Sequence, residues 1–153
     1  MIETYDADWN DLAPTLVHYD KSTLAFSPSA ILNGFIDFHY KGLQATWHTN
    51  FVSRQYLDNT ENCNRSLPSY SISNVMLSYT LNSSTIQSLK SSIFKEAIFG
   101  LNFNNIFNRH YAANGWVYSA IVGDTYPENN RYYQIGYNAM AGFNVMGSVT
   151  LKF

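Results

Sequence analysis

His39 and His48 lie near Asp37 in a stretch that alternates polar and apolar residues, and an acid–imidazole set is the raw material of a metal site or a general base. The spacing supports neither. A zinc site needs a third and a fourth ligand, and His18, His110 and the single Cys63 are not spaced to supply them. A serine nucleophile needs a base and an orienting acid, and no G-x-S-x-G element is present. The acids form no recognisable carboxylate pair. The chain therefore reads as non-enzymatic, with no metal and no cofactor. A second set is aromatic: Tyr111, Trp116, Tyr118 and Tyr126, followed by Tyr132 and Tyr133. Such rings stack on a sugar or a flat small molecule, or anchor a protein at the depth of lipid headgroups. A third set is polar and recurs at alternate positions: Asp37, His39, Gln44, His48, Asn50, Asn74, Asn102 and Asn104, the chemistry of a wetted wall.

The composition says what kind of element holds these residues. Charged residues make up 13% of the 153, about half the share of an ordinary soluble domain, whereas aromatics reach 16% with 12 Tyr, 10 Phe and 3 Trp. Mean hydropathy is only −0.21, and no run of about 18 apolar residues exists, so a transmembrane helix is excluded. Few charges, many rings and ordinary hydropathy suit a transmembrane β-barrel, in which lumen and lipid residues alternate and cancel in any window average. An aromatic-rich, secreted β-sandwich suits the composition equally well. A net charge of −2 gives no electrostatic case for nucleic acid. No basic segment followed by an apolar core opens the chain, so no signal peptide is read. A barrel must be exported, and the expectation is that residue 1 is not the start of the complete polypeptide.

The end of the chain is the strongest signal. From Phe143 to Phe153, odd positions read Phe, Val, Gly, Val, Leu, Phe and even positions Asn, Met, Ser, Thr, Lys. This is the period of a strand with one greasy face. At about 3.3 Å per residue and a tilt of about 40°, the stretch spans about 25 Å, the height of a barrel's apolar band. Four earlier strands are expected, over about Thr23–Lys41, Leu43–Tyr56, Tyr70–Leu81 and Ala97–Asn108, with the fifth beginning after Arg131. Lys41-Gly42 makes a tight turn, Leu57–Ser69 a polar loop, 82–95 a long connection, and Arg109–Asn130 the longest loop, with Asn114-Gly115 as its turn signal. Leu32, Ile36, Phe38, Tyr40, Leu43, Ala45, Trp47, Val75, Leu77, Tyr79, Phe99 and Leu101 share the apolar phase. Asp37, His39, His48, Arg54 and Lys152 all fall on the polar phase, which a barrel must obey and a sandwich only tends to. The expected fold is thus all-β, an antiparallel up-and-down meander of about five strands within a transmembrane β-barrel. Five strands cannot close, so either the chain oligomerises or, the favoured expectation, the remainder lies on a missing N-terminal portion, with residues 1–22 a partial extracellular loop and 23–153 the barrel strands.

Several pieces also carry a resemblance: Tyr56-Leu57-Asp58-Asn59-Thr60, Asn104-Asn105-Ile106-Phe107-Asn108 with Tyr111, Asn114-Gly115-Trp116-Val117-Tyr118, and Ala141-Gly142-Phe143-Asn144 through Phe153. Together they resemble the C-terminal end of TonB-dependent outer-membrane receptors, especially those of Bacteroidetes, from about Ala25 to Phe153. The resemblance implies a barrel of about 22 strands filled by an N-terminal plug. Its cargo would be a scarce nutrient, either a small molecule such as a siderophore or cobalamin, or a glycan. The plug is absent from this chain, so contact with the TonB complex would run only through that missing domain. The resemblance further implies that Phe143, Val145, Val149, Leu151 and Phe153 form the signal read by the barrel-assembly machinery, with outer-membrane lipid as the other partner. A soluble carbohydrate-binding β-sandwich and a passive outer-membrane barrel are the alternatives.

Overall fold

Period-two alternation recurs along most of this chain, and strands form wherever it does. The computed structural model describes residues 1–82, 95–123 and 131–153. In chain order the strands are β1 (Ile2–Tyr5), β2 (Asp11–Thr15), β3 (Ile31–Tyr40), β4 (Leu43–Val52), β5 (Gln55–Tyr56), β6 (Ser66–Leu67), β7 (Tyr70–Asn82), β8 (Glu96–Asn104), β9 (Ala112–Val122), β10 (Arg131–Ala139) and β11 (Asn144–Lys152). A single 3-10 turn, Cys63–Arg65, is the only helical element among the described residues. The chain divides into two compact units. One comprises Met1–Ser29, Arg54–Pro68 and Ala112–Ala139; the other comprises Ala30–Ser53, Ser69–Tyr111 and Met140–Phe153.

The second unit is the expected meander. Its sheet is five-stranded, in the order β11-β8-β7-β4-β3, and every pairing is antiparallel. The β3–β4 turn is the expected Lys41-Gly42, with φ of 44° and 85°; positive φ at both positions suits a two-residue hairpin. Register keeps like with like across the strands. Ile36, Trp47, Val75, Phe103 and Val145 form one row, Phe38, Ala45, Leu77, Leu101 and Gly147 the next, and Tyr40, Leu43, Tyr79, Phe99 and Val149 a third. The opposite face carries rows such as Asp37, Thr46, Met76, Asn102 and Met146. β3 and β11 are the sheet's edges, and the sheet is not closed.

Several boundaries differ from expectation. β3 starts at Ile31, not Thr23, because Pro28 and the turn before it cannot extend a ladder. β4 ends at Val52, so Arg54 lies beyond the sheet in the other unit, where its guanidinium donates to Ser66 Oγ at 3.2 Å. The expected fifth strand is two strands, β10 and β11, with different partners. Half of the expected loop Arg109–Asn130 is strand: β9 occupies Ala112–Val122 and pairs with β10 from Ala112 to Ile121. Asn114-Gly115 is therefore not a turn. A Cβ at Gly115 would stand 2.6 Å from the Gly136 carbonyl, so glycine serves close backbone approach inside the ladder. Residues 83–94, and with them most of the expected 82–95 connection, lie outside the described residues.

In the first unit the sheet order is β10-β9-β1-β2, with β1 parallel to β9. Residues 1–22, expected as an open loop, thus contribute the β1–β2 hairpin. The segment 57–69 is more than a polar loop: Leu57, Arg65 and Leu67 are buried. The Arg65 side chain is 1% exposed and bonds Asp58 Oδ2 through Nε at 2.7 Å. Its terminal nitrogen donates to Thr60 Oγ1 at 2.6 Å, and its guanidinium lies over the Tyr133 ring. Burying a charge is tolerable because it is paired and hydrogen-bonded. Leu67 reaches the Gly115 backbone and Tyr137 Oη meets the Ser66 carbonyl, so this segment covers the face of β9–β10 that carries Tyr133 and Tyr137.

Candidate functional site

Three arrangements could serve function. The first is the polar face of the five-stranded sheet. His39 stands directly opposite Gln44, His48 opposite Phe35 and Asn74, and Asn50 opposite Asn33 and Ile72. Thr46 Oγ1 donates to Asp37 Oδ1 at 2.5 Å, Asn50 Nδ2 to Asn33 Oδ1 at 2.8 Å, and Asn104 Nδ2 to Asn144 Oδ1 at 2.9 Å. A shallow cleft of about 330 Å³ is lined by Phe35, Thr46, His48, Asn74, Asn102 and Asn104. Thus Asp37, His39, Gln44, His48, Asn50, Asn102 and Asn104 all share one surface, as their alternation requires. The two histidines do not converge: their register positions on the β3–β4 hairpin are four residues apart, about 13 Å at ~3.3 Å per residue. Among the described residues no three of His, Cys, Asp or Glu gather as a metal site would need. At the far end of this face Lys152 Nζ meets both oxygens of Glu96, at 3.1 and 3.2 Å. Glu96 is an ionisable member of the face that alternation alone missed.

The opposite face is apolar. None of its residues in β3, β4, β7, β8 or β11 is Asp, Glu, Lys, Arg, His, Asn or Gln. Three of its polar side chains are linked: Trp47 Nε1 donates to Thr49 Oγ1 at 2.8 Å, and Thr49 Oγ1 and Ser73 Oγ are 2.9 Å apart. Among the described residues of this unit, no second layer covers this face. Phe99 is 44% exposed, Leu101 46%, Val149 61% and Leu151 44%. Val145, Val149 and Leu151 belong to this face, Phe143 leads into it, and Phe153 follows the end of β11, exposed.

The second arrangement explains the N-N-I-F-N element. Asn105 and Asn108 have φ of 51° and 49°, a conformation asparagine tolerates better than most residues. The Asn105 side chain is buried; its Oδ1 accepts from Arg109 N at 2.8 Å, and its Nδ2 donates to the Arg109 and Ala141 carbonyls at 2.9 and 3.2 Å. Its own N–H donates to Asn74 Oδ1 at 2.8 Å. Asn108 Oδ1 accepts from Phe143 N at 3.0 Å and fills the space a side chain at Gly142 would take. These amides fasten the end of β8 to the start of β11 and split the expected long fifth strand at 140–143. The alternation places Asn104 correctly on the polar face, but it carries the expected fourth strand on to Asn108, four residues past the end of β8, and gives Asn105 no role.

The third arrangement is aromatic. Tyr111 belongs to the second unit, where its ring packs on Tyr70 with centroids 4.6 Å apart. Trp116 and Tyr118 are in the first unit, two positions apart on one face of β9. Tyr126 lies outside the described residues. Tyr118 Oη donates to Glu3 Oε2 at 2.8 Å, and the Tyr5 hydroxyl is 3.5 Å away. Those two partners, Tyr5 first and then Glu3, push the Tyr118 phenol well above the usual tyrosine range. Tyr5, Trp9 and Tyr132 join this face through ring contacts at 5.5 and 5.0 Å. Aromatic type alone, within an expected loop, marks Trp116 and Tyr118 in the sequence; Trp9 is missed because it enters from a turn.

No protein-family model, curated protein or solved structure matches the chain.

Proposed function

We propose that the five-stranded sheet is part of the wall of a transmembrane β-barrel in a bacterial outer membrane, forming the C-terminal strands of a receptor of the TonB-dependent kind. Its work would be uptake of a scarce nutrient, not catalysis. One observation carries this reading: every charged side chain of the sheet lies on one face, and the other is an uncovered apolar surface. Water penalises such a surface, whereas hydrocarbon requires it, since a lipid-facing Lys or Arg near the midplane costs about 2–4 kcal/mol. The exposed edges of β3 and β11 need pairing by further strands, because unpaired backbone groups in lipid cost several kcal/mol each. The polar face would line the lumen, and the Phe153 end of β11 would be read by the assembly machinery. Energy coupling would belong to a plug domain that engages the TonB complex, and no residue here is assigned to it. The resemblance of 104–108, 114–118 and 143–153 supports the receptor over a passive barrel. A soluble sandwich would need a second layer over Phe99, Leu101, Val149 and Leu151.

Nitroxide labels test the reading directly. In a Cys63→Ser background, labels at Leu101→Cys and Val149→Cys should collide with oxygen dissolved in the acyl chains of lipid vesicles. Labels at Asn102→Cys and Ser148→Cys should collide instead with a water-soluble nickel chelate. A chain that stays monodisperse without lipid or detergent, or labels with no face preference, would overturn it.

A further inference from the structure

The aromatic face of the first unit has the composition of a ligand platform. β9 presents Trp116 and Tyr118 opposite Gly136 and Gln134 of β10, with the Asn114–Asn138 pair before them and Tyr132 after. The Trp116 indole lies across Gly136, whose missing side chain leaves it room: a Cβ there would stand 2.2 Å from Nε1. Trp9 meets Tyr132 edge-on and tilts against Tyr5. Trp116 is 51% exposed and Trp9 50%, although the other face of β9–β10 is covered by segment 54–68. Large exposed rings rimmed by polar groups mark binding surfaces.

The polar groups between the rings define the occupant. Glu3 accepts from both Tyr5 and Tyr118, at 3.2 and 2.8 Å, and Gln134 Nε2 donates to Tyr132 Oη at 2.6 Å. Asn138 donates to Asn114, and Asp11 stands opposite Tyr5. This face carries carboxylates and amides but no Lys or Arg among its described residues, because Arg131 alternates onto the other side. With no cation beside them, the Glu3 and Asp11 carboxylates repel anionic ligands such as phosphates or ferric carboxylate complexes. Rings interleaved with amides, phenol hydroxyls and hydrogen-bonded carboxylates instead match a ligand with apolar C–H faces and an equator of hydroxyls. From Trp116 to the row of Tyr132 is four residues, about 13 Å at ~3.3 Å per residue. That run seats more than one ring of a chain.

We propose that this face binds a neutral oligosaccharide, with Trp116, Tyr118, Tyr132 and Trp9 stacking on the sugar rings and Glu3 and Gln134 bonding their hydroxyls. The proposal names the cargo class of the receptor reading and rests on it. The two fail separately, because one is read by sugar binding and the other by lipid collision at the five-stranded sheet. The test is affinity electrophoresis of the full chain in mild detergent through gels containing starch, xyloglucan, galactomannan or levan. At least one neutral polysaccharide should retard the chain. Trp116→Ala and Trp9→Ala should each weaken retardation about tenfold or more, whereas Trp116→Phe keeps part of it and Trp47→Phe all of it. Gln134→Leu should weaken binding while circular dichroism stays unchanged, which separates loss of contact from loss of fold. Retardation by none of the polysaccharides, equal retardation of Trp116→Ala and wild type, or binding only of anionic polymers or cationic peptides would each overturn the proposal.

Discussion

Asn105 is the residue on which most local structure converges. Its amide does what two backbone groups would do in a ladder, accepting from Arg109 and donating to Arg109 and Ala141, from a backbone conformation with φ of 51°. Asn105→Ala removes those bonds, leaves buried partners unmatched and puts in the left-handed region a residue that tolerates it less well than asparagine. A loss of about 2–4 kcal/mol is expected in urea unfolding of the lipid-reconstituted chain. Asn105→Gly relieves the backbone but not the lost bonds, and should recover only part of that. Tyr118 gives a pH signature in the other unit. Its raised pKa means the folded chain keeps a proton that the unfolded chain releases above about pH 10. Stability should hold below that pH and fall as pH rises beyond it; Tyr118→Phe should flatten the slope. At the acid end, the Asp6 carboxyl is held below its usual range by the Asn10 side-chain amide and the Asn10 and Asp8 backbone N–H groups. The β1–β2 turn should therefore loosen as pH falls through and below 3.8, seen as faster amide exchange at Asp8 and Asn10.

At the scale of elements, glycines separate positions that look alike in sequence. Gly34, Gly115 and Gly136 all lie within strands, yet an added Cβ meets open space at the first, the Gly136 carbonyl at the second and the Trp116 indole at the third. Gly34→Ala should be neutral or stabilise by about 0.5–1 kcal/mol, since alanine restricts the unfolded chain. Gly115→Ala should destabilise the β9–β10 pair by about 1–3 kcal/mol, because a backbone carbonyl cannot move aside. Gly136→Ala should leave the ladder intact but tilt the indole outward, read as a red shift of Trp116 emission once Trp9 and Trp47 are replaced by phenylalanine. Alternation made β3, β4, β7, β8 and β11 legible, because each presents one apolar and one polar face. It failed at β9, where Asn114-Gly115 mimics a turn and the glycine instead serves close packing. It failed again at 140–143, where the break comes from Asn105 and Asn108, over thirty positions upstream. The eight expected polar-face residues could be read because parity alone places them. Arg65 and Trp9 could not, because a buried ion pair and a turn-borne ring follow from tertiary contacts and have no period.

For the five-stranded sheet as a whole, the decisive quantity is how the cost of a charge varies across and along its apolar face. Leu101 lies in the middle row with Phe38, Ala45 and Leu77, whereas Leu32 lies three rows away along β3, about 20 Å at ~3.3 Å per residue. A surface that needed only a protein partner would lose similar contact energy from arginine at either position. A surface in a bilayer feels depth: Leu101→Arg should cost about 2–4 kcal/mol and Leu32→Arg about 0–1, because the latter side chain reaches the headgroups. Asn102→Arg, one residue from Leu101 but on the polar face, should cost little. The measurement is the free energy of reversible unfolding from lipid vesicles for the three variants, each against wild type. A cost that ignores depth, or that is as large at Asn102 as at Leu101, would remove the membrane from the account of this fold and leave the apolar face to a protein partner.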